Sequence, residues 1–277
     1  MGAPDRRTAL SLGLALVGGT AAASLSGCSD GSKSARPPTG AAAGPGAPGP
    51  ADGTAAATRP VAPRSASEAP TAVALSAAAP AELDHASSGR EQVALTFHGD
   101  GDPKLTKALL TEVEAAGARI TVLAVGRWLG EHPELARRIL DGGHELGNHT
   151  ETHANISAMT PDAAYVEIEA CAERLRKLTG SPGRWFRPSQ TQHADAMLVA
   201  QSRRAGYQTV LSYDVDPLDY TDPPSSATAR RFLAAVQPGA VVSLHLGHQG
   251  TVAALPAMLD GLRRRGLAAV TATELFA

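Results

Sequence analysis

The sequence predicts an α/β fold with a parallel sheet, on three observations. From residue 91 onward, short apolar runs alternate with amphipathic stretches of helical period. Every Trp, Tyr and Phe falls between 91 and 277, so only that part can bury a core. Its reactive side chains cluster just after the apolar runs, at the carboxyl ends of the expected strands, where parallel sheets bind ligands.

Taken in order, a strand is expected at 92–97 and a helix at 104–116, with Leu105, Ala108, Leu109, Val113 and Ala116 on one face. Asp102 can cap that helix, Pro103 suits its first turn and Gly117 ends it. A strand at 120–125, a helix at 133–141 closed by Gly142, and a short strand at 144–148 follow. The stretch 161–178 reads as a long helix with Ala164, Ile168, Cys171, Leu175 and Leu178 inward, so Cys171 is expected as a buried, inert thiol. Next come a strand at 184–187, a helix at 195–205 ended by Gly206, a strand at 207–213 and a helix at 226–236. The last elements are a strand at 240–246, a helix at 252–265 whose start Pro256 delays or kinks, and a strand at 267–270. Seven strands alternating with helices require right-handed crossovers.

The first 90 residues read differently. Arg6 and Arg7 precede an apolar stretch that ends in Leu25-Ser26-Gly27-Cys28, so residues 1–28 read as an export signal. Small residues before a Cys resemble a bacterial lipobox, which implies cleavage before Cys28 and lipid on its sulfur. The Arg pair also resembles a twin-arginine signal. Residues 29–90 are rich in Ala, Gly, Pro, Ser and Thr, and are expected to be a disordered linker. A coil of that length reaches on the order of 45 Å. The protein is therefore expected on the outer face of the bacterial cytoplasmic membrane, as a monomer. A net charge of −2 leaves no basic excess for nucleic acid.

Reactive residues line one rim. His98, Asp100 and Asp102 follow the first strand, His149 and His153 the third, and Arg187 the fourth. Asp214, Asp216 and Asp219 follow the fifth strand, and His245 ends the sixth. His149 and His153 stand four apart in His-Thr-Glu-Thr-His. On a helical turn that spacing puts both imidazoles on one face, where they can meet one metal ion, although a pair of surface histidines has the same spacing. A zinc-protease helix needs Glu after the first His or before the second, and Thr150 and Thr152 hold those places. His144 reads as structural, and His193 and His248 as solvated.

The words around these residues are more specific. Gly143-His144-Glu145-Leu146-Gly147-Asn148-His149-Thr150, running on to His153, closely resembles the second motif of the polysaccharide deacetylase (NodB-homology) family. Leu95-Thr96-Phe97 resembles its first motif and Phe186-Arg187-Pro188 its third. Asp216-Pro217-Leu218-Asp219-Tyr220 resembles the fourth and Ser243-Leu244-His245 the fifth. The motifs lie in family order across 91–277, which is taken as the catalytic domain.

The resemblance implies a distorted (β/α) barrel of about seven parallel strands, holding one divalent metal ion, zinc. It implies hydrolysis of N-acetyl groups from an extracellular amino-sugar polymer such as peptidoglycan or a chitin-like glycan. It makes His149 and His153 ligands, His245 the general acid, Asp219 its partner and Arg187 the residue that orients the base. Leu244 would line a pocket for the acetyl methyl, and Tyr220 would meet substrate. The family's first motif has two adjacent Asp after Phe, as base and ligand. Here His98-Gly99-Asp100-Gly101-Asp102 follows, so His98 takes the place of the base. The third ligand is Asp102 or Asp100, with Asp102 favoured because Pro103 and the helix start fix it. Two alternatives stand beside this reading: a lapsed barrel that only binds glycan, and a deacylase of esters or small cyclic amides.

Overall fold

The computed structural model describes residues 80–87 and 89–277. The signal segment with Cys28 and the linker as far as residue 79 lie outside the described residues. The chain runs through β1 (Glu82–Leu83), β2 (Gln92–Gly99), α1 (Pro103–Ala115), β3 (Thr121–Ala124), α2 (Gly126–Glu131), α3 (Pro133–Asp141) and β4 (Glu145–Asn148). It continues through α4 (Pro161–Thr179), α5 (Ala196–Arg204), β5 (Val210–Leu211), α6 (Ser225–Ala235), β6 (Val241–His245), α7 (Gln249–Arg264), β7 (Ala268–Val270) and α8 (Ala272–Leu275).

The strands pair in parallel in the order β4-β3-β2-β6, with β7 also on β2. Parallel bridges carry the sheet further, from Asn148 to Phe186, from Phe186 to Val210, and from Val215 to Val242. This is the distorted barrel, with helices packed on its outside. β2 is buried along most of its length on both faces, as a central parallel strand must be. Its side chains alternate. Val93, Leu95 and Phe97 join the main core with Leu109, Leu110 and Val113 of α1 and Leu255 and Met258 of α7. Ala94 packs instead with Leu123, Trp185, Leu211 and Val241. The register sets Ala94, Thr96 and His98 opposite Val241, Ser243 and His245.

Local chemistry explains the helix ends. Asp102 accepts the Lys104 N–H at 2.6 Å with Pro103 behind it. Thr160 caps α4, and Gly180 closes it in the left-handed conformation. Along α4, Ala164, Ile168, Cys171 and Leu175 are buried. The Cys171 thiol lies 3.4 Å from the Ala124 carbonyl, and burial pushes its pKa up.

Several expectations need correction. The folded part starts before residue 91, because Glu82–Leu83 pair in parallel with Val210–Leu211. A composition-based boundary missed this, since two residues carry almost no periodicity. The strand expected at 184–187 reduces to a bridge at Phe186, and that at 207–213 to β5 alone. The apolar runs there are too short to hold a regular ladder. The short helices α2 and α8 were not anticipated. Pro256 does not delay α7, which begins at Gln249 and runs through it.

The hydrogen bonds that hold the segment before β2 include four to the 81–86 stretch. Ala81 and Leu83 carbonyls accept from Val210 and Ser212, Gly239 accepts from Ala86, and Glu82 Oε1 accepts from Ala194. Trimming the chain to begin at Glu91 should therefore lower stability by about 2–6 kcal/mol, at about 0.5–1.5 kcal/mol per bond. Urea denaturation against a chain beginning at Pro80 measures the difference; equal midpoints would show that β1 contributes nothing.

Candidate active site

The parallel register brings the carboxyl ends of three strands to one place. His98 near the end of β2 pairs with His245 at the end of β6. Gly99 pairs with Ala124, and Ala124 with Asn148, so His149 emerges beside them. The His98 ring lies 4.4 Å from His149 and 4.4 Å from His245, centroid to centroid. His149 and His153 are 4.9 Å apart. Nitrogens of His98, His149 and His153 all lie within 4.8 Å of one another.

His149 and His153 do not share a helical turn. The segment after β4 is a loop in which Thr150 and His153 take positive φ, 68° and 59°. Such backbone costs about 1–3 kcal/mol for each non-glycine residue and persists only where neighbours enforce it. Here Asn148 Oδ1 accepts from Thr150 N–H, Thr150 Oγ1 from His153 N–H, and Glu167 from Thr152. The histidine spacing was a usable signal, but a strained loop produces the convergence.

The donors are prepared for a cation. The His149 Nδ1 sits 2.9 Å from the Arg187 carbonyl, which can only accept, so Nδ1 carries the proton and Nε2 the lone pair. That Nε2 is buried and has no hydrogen-bond partner in the chain. Burial, followed by repulsion from His149, Arg187, His245 and His153, holds His98 well below the ordinary imidazole pKa. Burial lowers His149 likewise, with His153 adding to it, and burial lowers His153. Neutral imidazoles with an orphaned lone pair among them fit a divalent metal ion.

His245 packs against His98, ring to ring at 4.4 Å. Its Nδ1 lies 2.8 Å from Asp219 Oδ1, and its backbone N–H donates to Asp219 Oδ2 at 2.9 Å. Thr251 Oγ1 donates to the same oxygen at 2.7 Å. Asp219 is 1% exposed, so this carboxylate is fixed in place. His245 therefore keeps Nε2 for other use. Tyr220 packs its ring 5.1 Å from His245 and is half exposed at the rim.

A pocket of about 300 Å³ opens over these groups, lined by His98, His153, His245, Asp100, Leu246 and His248 among others. Two loops close one edge, where Gly101 and Gly247 both take positive φ and nearly touch. A Cβ on Gly101 would meet Gly247 Cα at 2.5 Å. His248, expected to be merely solvated, lines this pocket and bonds Asp222 at 2.8 Å. His193 lies 3.4 Å from Glu82 instead, and His144 accepts from the Ile120 N–H.

Three sequence expectations change. Asp102, favoured as the third ligand, is absent from the cluster, because its carboxylate caps α1. His98, expected as the base, stands within the cluster. Leu244, expected to line the pocket, belongs to the main core, because alternation along β6 turns Ser243 and His245 the other way. The leucine on the pocket wall is Leu246, just past the strand end. Arg187 is fully buried and donates to the Leu211 and Ser212 carbonyls, both at 2.9 Å. Its Nη1 has no partner, and burial pushes its pKa down to about 9.

A parallel barrel whose rim gathers three imidazoles beside a carboxylate-held histidine is a fold and site of the metal-assisted hydrolase class. The profile described as polysaccharide deacetylase matches residues 85–210. A chitooligosaccharide deacetylase of Bradyrhizobium sp. is 31% identical over 202 residues, covering 65% of this chain and 88% of the relative. A peptidoglycan-N-acetylglucosamine deacetylase of Bacillus cereus is 32% identical over 188 residues, covering 66% and 87%. The chain belongs to the polysaccharide deacetylase family. Among solved structures, the Bc1960 peptidoglycan N-acetylglucosamine deacetylase superposes with TM-score 0.66 at 25% identity, covering 71% of this chain and 92% of that one. A mutant of BA3943, described as a CE4 family pseudoenzyme with restored enzymatic activity, superposes with TM-score 0.67 at 25% identity, covering 71% of each chain.

Within the first motif, Gly99 falls where the family's second Asp would stand. A Cβ there would meet Ala124 Cα and Val122 Cγ1, each at 2.8 Å, so β3 leaves no room for a side chain. Replacing Asp102 should then affect the helix and not the metal site. Asp102→Ala is expected to cost about 1 kcal/mol in urea denaturation, the usual loss for an N-cap, with metal content unchanged by elemental analysis. Loss of the metal with unchanged stability would return Asp102 to the ligand set.

Proposed function

We propose that this protein is a metal-dependent hydrolase that removes N-acetyl groups from extracellular amino-sugar polymers, peptidoglycan or chitin-like glycans. The observation that carries this reading is the meeting of two groups at one pocket. The imidazole cluster and the Asp219-held His245 border the same space, with His98 and His245 4.4 Å apart ring to ring. The relatives named as deacetylases of such glycans support the substrate class.

The chain's residues divide the work as follows. His149 and His153 hold the ion, zinc in this reading, through neutral nitrogens. A divalent ion bound there supplies Lewis acidity to the acetamide carbonyl and to the attacking water. Asp219 keeps the Nδ1–H of His245 oriented and stabilises its protonated form. Asp100 on the pocket wall takes the proton of the attacking water, and His245 delivers its Nε2 proton to the departing amine, which leaves poorly as an anion. Leu246 and Val125 give the pocket an apolar wall beside the acetyl group, and Tyr220 offers a half-exposed ring for a sugar face.

The protein acts at the cell surface in this reading. The lipobox ending at Cys28 supports a lipid anchor, and the Ala/Gly/Pro-rich stretch supports a tether. Among the described residues, no helix is long and apolar enough to cross a membrane. Cys28→Ser should move the protein from the membrane to the soluble fraction of cells, and retention in the membrane would require another anchor.

The test of function is acetate release from N-acetylated and O-acetylated glycans, with and without chelator. His245→Ala should slow amide cleavage by a factor of about 10² to 10⁴, the usual loss of a general acid. It should slow ester cleavage less, because an alkoxide needs less protonation to leave. Metal content should stay at the wild-type level. Near-normal amide turnover in this variant would make His245 a core histidine. The lack of a carboxylate at His98-Gly99 favours a second reading, a barrel that binds glycan without cleaving it. Glycan binding by the wild type without acetate release would select that reading.

A further inference from the structure

We propose that His98 is the third metal ligand, so that this chain binds its ion through three neutral imidazoles and no carboxylate. The proposal rests on the metal-dependent reading above and specifies its ion site. Three observations carry it. Nitrogens of His98, His149 and His153 converge within 4.8 Å, and among the described residues no carboxylate joins that group. Neither acid of the first motif joins the cluster: the Asp102 carboxylate caps α1, and Asp100, on the pocket wall, has Oδ1 accepting the Gly101 N–H at 2.8 Å. The remaining position, Gly99, lies against Ala124 and Val122 with no space for a side chain. His98 itself is fixed by the strand. Its backbone pairs with both β3 and β6, and its ring lies 4.4 Å from those of His149 and His245.

The donor set has a chemical consequence. Imidazole nitrogens suit zinc, cobalt, nickel and copper, while carboxylate oxygens suit magnesium, manganese and calcium. An all-imidazole site therefore discriminates against the hard, oxygen-seeking cations more strongly than a site with one carboxylate. A ligated His98 also cannot accept a proton from water. That leaves Asp100 as the carboxylate on the pocket wall.

The experiment uses the full chain, purified in detergent and stripped with a chelator. It is titrated separately with zinc and manganese chlorides by calorimetry, with competing chelator where binding is tight. Circular dichroism melts of the stripped proteins check that each variant folds. Wild type should bind one zinc ion. His98→Ala should weaken zinc by more than about 100-fold, since even outer-shell changes cost about 10–100-fold. His98→Asp should recover much of the zinc affinity and raise the manganese-to-zinc affinity ratio above that of wild type. Asp102→Ala and Asp100→Asn should lose far less zinc affinity than His98→Ala. Zinc affinity in His98→Ala equal to wild type would overturn the proposal, as would an unchanged metal ratio in His98→Asp. Loss of zinc in either Asp variant with His98→Ala unaffected would do the same. A wild type that binds no metal would instead remove the metal-dependent reading, and this proposal with it.

Discussion

The parallel pairing of β2 with β3, β6 and β7 is the constraint on which the site depends. Parallel strands in register present their carboxyl ends together, and the side-chain alternation of two decides which residues point to each face. Because Thr96 lies opposite Ser243 and His98 opposite His245, both histidines arrive at the same level. A slip of one residue in either strand would send one of them into the helix-packed core occupied by Phe97 and Leu244. The apolar contacts of Val93, Leu95 and Phe97 with α1 and α7 therefore do more than stabilise the barrel. They hold the register that assembles the imidazoles.

Charge is arranged sparingly around that cluster. Arg187 is fully buried, and among the described residues no carboxylate is in ion-pair contact with it. Carbonyl oxygens and the face of Tyr213, 5.1 Å away, partly compensate it. The same Arg187 carbonyl receives the Nδ1–H of His149. One residue thus contributes a positive charge to the site and sets the tautomer of its neighbour. On the other side, Asp219 supplies the negative charge, but three hydrogen bonds direct it to His245 and Thr251 and not to the cluster. The site therefore joins a group of buried imidazoles to a histidine held by a carboxylate.

The family membership and the divergent first motif are compatible because they rest on different parts of the structure. The barrel and its second motif, from Gly143 through His153, position His149 and His153 whatever follows Phe97. The close approach of β3 to Gly99 belongs to this chain's own packing, and it fits the absence of an acidic side chain there.

The sequence by itself determined the α/β class, the order of nearly all the long helices and strands, and the rim on which the histidines lie. Each of those follows from local periodicity and from caps such as Asp102 and Thr160, which need only near neighbours. Within the same rim, the motif words singled out His245 and Asp219, which the structure brings into contact. The tertiary structure alone decided which residues meet. It joined Glu82–Leu83 to a strand 128 residues away by number (Glu82 to Val210), reduced the stretch around Phe186 to a bridge, and made a positive-φ loop of His149–His153. It set His98 among the metal-ligand candidates and placed Leu246 in the pocket in place of Leu244. The physical reason is common to all of these. Propensity and spacing act over a few residues, whereas the direction of a side chain at a strand end depends on register and packing between segments far apart in the chain.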